Sequence, residues 1–122
     1  MYSVNRKQFE SLLDQAIRSL SKKHRERLEN VAFLVDDEPS LEQRRSLALR
    51  GDQTLFGLYE GVPLSNRQGQ TKLLPDKITL FQHPLEQASG SFEDLQEAIR
   101  HTVWHEVAHY YGLNHSQIAT LE

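Results

Sequence analysis

The apolar residues near the N-terminus recur every three or four positions, which is the spacing of one face of a helix. They predict a helix over about residues 5–20, with an apolar stripe that must pack on another element. The stripe consists of Phe9, Leu12, Leu13, Ala16, Ile17 and Leu20.

The same spacing returns after Gly90 and predicts a second helix that continues to about Tyr111. Its apolar stripe consists of Phe92, Leu95, Ile99 and Val103. Ser91 is the predicted N-cap, because a serine hydroxyl there can accept a hydrogen bond from the backbone of Asp94. Side chains on this helix are therefore expected to sit on a rigid element.

Three segments between these helices carry the β-branched, aromatic and alternating apolar residues that are typical of strands. They are residues 30–37, 54–61 and 77–82. Pro75 and Pro84 bracket the third segment and predict an edge strand, which can present free backbone groups to an extended peptide. An edge strand that binds nothing is the alternative. Leu41–Leu49 is predicted to be a short charged helix, and the polar residues 65–71 a loop.

Composition narrows the class of protein. A chain of 122 residues suits one core, so a single domain over residues 1–122 is expected. The absence of cysteine excludes disulfides and thiolate zinc sites, and the formal net charge of -3 argues weakly against a nucleic-acid partner. The dense basic stretch over residues 22–27 is interrupted by Glu26, and we interpret it as a solvated helix end. The N-terminal residues contain no apolar run, so a cytoplasmic protein without a membrane partner is expected, with its oligomeric state left open.

The second helix carries the string HEVAHYYGLNH, which has the form HExxHxxGxxH. Because His105 and His109 are one helical turn apart, both imidazoles can reach one metal ion from the same side. Glu106 lies about 100° further round the helix, where its carboxylate can take a proton from a bound water and pass it to a leaving amine. The spacing predicts two zinc ligands and a general base.

A third ligand requires the chain to turn back after the helix. Gly112 suits the left-handed conformation that ends a helix and produces such a turn. His115 is then the predicted third zinc ligand, and the fourth position stays open for water, as in catalytic zinc sites. The alternative is a salt-bridged amphipathic helix, with His115 only complementing the helix dipole.

Other side chains near the motif have less specific interpretations. His101 lies one turn before His105 but about 12 Å along the helix from His109, so we predict a neighbour of the site or a surface residue and not a ligand. Tyr110 and Tyr111 flank His109, and a phenol there can donate a hydrogen bond to a developing oxyanion. Core packing is the favoured role of both tyrosines.

Five segments of the chain resemble the small, minimal zincin-like metallopeptidase family of bacteria. They are FESLLDQAI, NVAFLVDDEP, LFGLYEGVPL, LLPDKITLFQHPLE and HTVWHEVAHYYGLNH. The resemblance implies an α+β fold, in which a small, mostly antiparallel sheet packs against an N-terminal helix and a C-terminal active-site helix. It also implies zinc bound by His105 and His109, Glu106 as the catalytic residue, and a peptide or protein substrate.

His115 departs from this family, which often has an acidic residue after the glycine turn, and matches the longer motif of the metzincins. Metzincins also place a methionine turn beneath the metal, whereas the only methionine of this chain is Met1. A minimal zincin is therefore the prediction.

Zinc-dependent hydrolysis of a peptide bond is the leading functional hypothesis, because a purely structural site needs no base at Glu106. The alternative is a zinc-binding regulatory or interaction domain with little or partner-dependent proteolytic activity, which the small size of the chain favours. A regulatory peptidase that cleaves one bound repressor protein is a third possibility.

Overall fold

The computed structural model describes residues 1–28, 30–49, 56–61 and 76–113. Within these ranges the helices and strands follow one another as α1 (Arg6–Arg18), α2 (Lys22–Arg25), β1 (Val31–Asp36), α3 (Leu41–Leu49), β2 (Gly57–Glu60), β3 (Asp76–Phe81), α4 (Gln82–Gln87) and α5 (Phe92–Tyr110). This mixture of helices and one small sheet confirms the predicted α+β class. No helix in these ranges is both long and apolar enough to cross a membrane.

The described strands form one sheet in the order β1-β3-β2. β1 runs parallel to β3, with Val31 opposite Asp76, and β2 runs antiparallel to β3, with Gly57 opposite Leu80. The sheet of these strands is therefore mixed, with one pairing of each kind, where a mostly antiparallel sheet was expected.

The prediction that residues 77–82 form an edge strand is wrong, because β3 lies between β1 and β2. Every residue of β3 except Lys77 is buried, as expected for a strand covered on both faces. Pro84 does not interrupt the strand, because it lies in the first turn of α4, where the missing N–H group costs no helix hydrogen bond. Helix α4 itself was not predicted.

The two long helices begin where the sequence predicts. Asn5 caps α1, where its side chain accepts a hydrogen bond from the Gln8 backbone and the Gln8 side chain accepts one from the Asn5 backbone. Ser91 caps α5, with its hydroxyl 3.1 Å from the backbone nitrogen of Asp94. The basic stretch begins in the short helix α2, and all of its side chains except the half-buried His24 are exposed.

The main core lies where α1 and β3 pack against α5. Its fully buried side chains include Phe9, Ile78, Leu80, Leu95, Ile99, Val103 and Val107. α5 also contacts β2, so the helix that carries the HExxH motif is held by neighbours on several sides. The positions of its polar side chains are therefore set by the core beneath them.

Candidate metal centre

The final turns of α5 bring His105, Glu106 and His109 together. Each offers one potential ligand atom, and these atoms lie within 4.8 Å of one another. The two imidazole rings are 4.8 Å apart between centroids. Two imidazole nitrogens beside a carboxylate form a donor set that suits zinc. The structure thus groups the three side chains that the HExxH spacing predicts to be close.

Glu106 is only 2% exposed, and both of its carboxylate oxygens have contacts within the protein. Oε1 accepts a hydrogen bond from the backbone N–H of Tyr59 at 2.9 Å, and Oε2 lies 3.1 Å from Nδ1 of His105. The Tyr59 N–H bonds to Glu106 and not to β3. It therefore points out from the edge of β2 that faces away from β3. Glu106 therefore connects α5 to this outer edge of β2.

Gly57 allows β2 to approach α5 closely. A Cβ atom at this position would lie 2.7 Å from Cγ2 of Thr102 and 3.4 Å from Cγ of Glu106. The sequence analysis did not single out Gly57, although a glycine inside a predicted strand is a known sign of close backbone approach. Its effect on the site is to let the Tyr59 N–H reach the Glu106 carboxylate.

The end of α5 has the glycine turn that the extended motif predicts. Gly112 adopts a left-handed conformation with φ of 81°. Its N–H donates to the carbonyl of His109 at 2.9 Å, and the N–H of Leu113 donates to the carbonyl of Ala108 at 3.0 Å. These two bonds form a Schellman motif. His115, the predicted third ligand, lies outside the described residues.

The remaining polar side chains of α5 contact other parts of the molecule. His101 is exposed, and its ring centroid is 6.3 Å from that of His105. The Tyr110 hydroxyl donates to the carbonyl of Arg27 at 2.8 Å, and the Tyr111 hydroxyl donates to the carbonyl of His24 at 2.7 Å. Both tyrosine hydroxyls thus hold the segment around α2, which agrees with a packing role better than with oxyanion binding.

The ionisation of Tyr111 responds to this environment. Burial raises the pKa of the Tyr111 phenol above its ordinary value, and the neighbouring Tyr110 raises it further. The Arg27 guanidinium, which lines the same cavity as Tyr111, opposes both effects and lowers the pKa. Tyr111 therefore keeps its proton at neutral pH and remains a hydrogen-bond donor.

Comparison with known families agrees with the geometry of this site. A sequence model of the family described as zincin-like metallopeptidase matches residues 28–122, a range that contains the sheet, α5 and the whole HExxHxxGxxH motif. No curated protein matches the chain. The match spans most of the sequence and includes His105, Glu106 and His109, which we call the metal group. The chain therefore belongs to the zincin-like metallopeptidase family.

Proposed function

We propose that this protein is a zinc-dependent peptidase that hydrolyses peptide bonds in a peptide or protein substrate. The observation that carries the proposal is the grouping of His105, Glu106 and His109 on one helix of a chain that belongs to a metallopeptidase family. His105 and His109 would hold the ion, with His115 as the third ligand. A zinc ion bound there supplies a Lewis acid that polarises the scissile carbonyl and makes a coordinated water more acidic.

Glu106 acts in this proposal as general base and then as general acid. Its carboxylate accepts a proton from the attacking water, the water oxygen bonds to the carbonyl carbon, and the same proton passes to the leaving amine as the C–N bond breaks. The hydrogen bond from the Tyr59 N–H fixes the orientation of the carboxylate. A fixed carboxylate loses little entropy when the substrate arrives.

The outer edge of β2 is the proposed place for an extended substrate. Among the described strands β2 pairs only with β3, so its other edge is not covered by a strand. That edge adjoins the metal group, because the Tyr59 N–H on it is already bonded to Glu106, and a peptide would use the other outward backbone groups of β2. A peptide that adds to β2 would therefore pass the metal group, whereas one at β3, the strand first predicted for this role, has no edge to bind.

The burial of Glu106 favours one specific alternative. Its two oxygens already contact Tyr59 and His105. Such contacts are expected of a carboxylate that only stabilises the fold, as in a metal-stabilised interaction domain. In that case the chain would bind zinc with little turnover, or turn over only with a partner. The two functions differ in whether Glu106 is needed for hydrolysis or only for packing.

Zinc content and hydrolysis of a quenched fluorescent peptide library, measured together, separate the two functions. We expect about one zinc per chain, retained in Glu106→Gln, because the glutamine can still accept the Tyr59 hydrogen bond. Hydrolysis should fall roughly a hundredfold or more in this variant. His83→Ala is the matched histidine control, since His83 lies beside Asp37 and Glu38 and is not part of the metal group. Equal hydrolysis by Glu106→Gln and the unsubstituted chain would contradict the peptidase proposal, and zinc binding without any hydrolysis would support the interaction domain.

The third ligand needs its own test. His115→Ala should weaken zinc binding in a competition titration with a chelator, because two imidazoles alone leave the ion poorly held. If His115→Ala binds zinc as tightly as the unsubstituted chain, the assignment of His115 is wrong while His105 and His109 remain candidates.

A further inference from the structure

Helix α2 forms a second wall beside the metal group. Successive residues of a helix point about 100° apart, so His105 projects between its neighbours Trp104 and Glu106. Glu106 contacts β2, whereas the Trp104 ring packs against the His24 ring of α2, with 4.9 Å between centroids. His105 therefore projects between the contact of α5 with β2 and its contact with α2.

This wall is fixed to α5 by several contacts. The hydroxyls of Tyr110 and Tyr111 bond to the carbonyls of Arg27 and His24, one at the end of the segment and one in its middle. Ser21 caps α2, accepting from the His24 backbone at 3.3 Å and contacting its Nδ1 at 2.8 Å. A four-residue helix has little stability of its own, so these contacts determine where its side chains lie.

The side chains of this wall carry concentrated positive charge. Residues 22–27 contain four cations against the single carboxylate of Glu26, in a chain with a net charge of -3. Within the described part of the chain none of these four cations forms a salt bridge, whereas four arginines elsewhere do. The unpaired cations are Lys22, Lys23, Arg25 and Arg27.

Two of these cations border a cavity at the end of α5. Lys23 and Arg27 line it together with Tyr111, Leu113, His24 and Glu26, and its volume is about 420 Å³. We propose that this cavity receives an acidic side chain of the substrate, so that the enzyme selects peptides with Asp or Glu near the scissile bond. The two cations outnumber the Glu26 carboxylate in the lining and pair with the substrate carboxylate, while Tyr111 and Leu113 pack against the methylene groups that carry it.

This proposal rests on the proposed peptidase function and names the class of peptide that the enzyme selects. A peptide fits better than a nucleic acid, because the unpaired cations cover about one helical turn and the chain as a whole is acidic. A phosphate backbone is usually bound by cations spread over a wider surface. A cavity bordered by Tyr111 and Leu113 as well as by cations also suits one side chain better than a repeating polyanion.

Binding of matched peptides tests this selectivity without requiring turnover. The probes are labelled peptides that differ only by Glu or Gln at one position, scanned along the sequence, and the protein is the full zinc-loaded Glu106→Gln chain. Fluorescence anisotropy should show that Glu at one position tightens binding roughly five- to tenfold, as expected for two partly exposed ion pairs. The preference should shrink at high salt, because exposed charges are screened.

The matched control separates the cavity from net charge. Lys23→Gln/Arg27→Gln and Lys7→Glu each lower the net charge by two, but Lys7 lies in the first turn of α1 and lines neither this cavity nor the neighbouring one. The double variant should lose the Glu preference, and each single variant part of it, while Lys7→Glu keeps it. Circular dichroism should show that all variants remain folded, since Lys7, Lys23 and Arg27 are all exposed.

The possible outcomes are distinct. Equal binding of Glu and Gln peptides at every position, or the same loss of preference in Lys7→Glu, would overturn the proposal. Stronger competition by a single-stranded oligonucleotide than by an acidic peptide of equal charge would also overturn it. If the Glu preference depends on Lys23 and Arg27 but the unsubstituted chain hydrolyses no peptide, the selective cavity stands and only the peptidase function fails.

Discussion

Glu106 and Gly57 come from distant parts of the sequence and meet where β2 crosses α5. The Glu106 carboxylate accepts a hydrogen bond from the Tyr59 N–H. Because Gly57 has no side chain, β2 can come close enough to α5 for this bond to form. The geometry of the proposed base thus depends on a residue that carries no functional group. A side chain at position 57 would push β2 away from the carboxylate that it orients.

Gly57→Ala should lower the free energy of unfolding by about 1–3 kcal/mol, the usual cost of overfilling a packed site. The added Cβ would lie 2.7 Å from the Thr102 methyl, so β2 or α5 must shift. Urea denaturation measures the change. Gly90→Ala is the control, because its Cβ would meet only the Asp94 carboxylate at 3.4 Å and should change the free energy by less than about 1 kcal/mol. If Gly57→Ala is as stable as Gly90→Ala, then β2 and α5 can accommodate a Cβ atom at position 57 without a cost.

The HExxH spacing was sufficient to predict which side chains of α5 lie together, because His105, Glu106 and His109 belong to one helix and helix geometry is local. The bond from Tyr59 to Glu106 joins residues 47 positions apart. Contacts of that kind depend on how elements pack, and nothing in the residues near the motif specifies them.

Among the helices and strands, those with strong local signals were predicted best. α5 has a serine cap, an apolar stripe and a terminal glycine where the sequence places them, except that Phe92 at the start of the stripe is exposed. β3 was placed at the wrong position in the sheet, because flanking prolines report on the ends of a strand and not on its neighbours. The central position of β3 follows from its pairing with β1 and β2, which is a long-range property.

The contribution of Tyr111 to the free energy of unfolding should depend on pH, because its hydroxyl bonds α5 to the carbonyl of His24 in α2. Since burial raises the folded pKa of this phenol above the ordinary value of about 10, the unfolded chain loses the proton first as pH increases. The contribution of the Tyr111 phenol to folding stability is complete below its unfolded pKa of about 10 and is lost as pH rises through its folded pKa. Tyr111→Phe lacks this loss, but at neutral pH it also lacks the hydrogen bond to the His24 carbonyl, which costs about 1 kcal/mol.

Unfolding by denaturant from neutral to alkaline pH measures both effects. The stability curves of the unsubstituted chain and Tyr111→Phe should converge as pH rises beyond about 10. Curves that stay parallel over this range would show that the Tyr111 phenol has no raised pKa in the folded chain.

In the whole molecule, the hydrophobic core forms without the two imidazoles of the metal group, although Glu106 is itself buried. The core is formed with α1 and β3, and its fully buried side chains include none of the proposed metal ligands. β2 and α2 contact α5 through Glu106 and Trp104, which lie on either side of His105 along the helix. The fold should therefore not require metal, unlike small zinc domains that unfold without it.

Removal of zinc should accordingly lower the thermal stability of the chain without unfolding it. A bound ion stabilises the folded state by mass action, by about 2.7 kcal/mol when free zinc is a hundredfold above its dissociation constant. Thermal unfolding followed by circular dichroism should show a lower Tm in EDTA than in zinc, with the same helical signal at room temperature. His109→Ala should abolish the difference between the two conditions, and His83→Ala should preserve it. Loss of the helical signal in EDTA at room temperature would show that the core and the metal group fold as one unit.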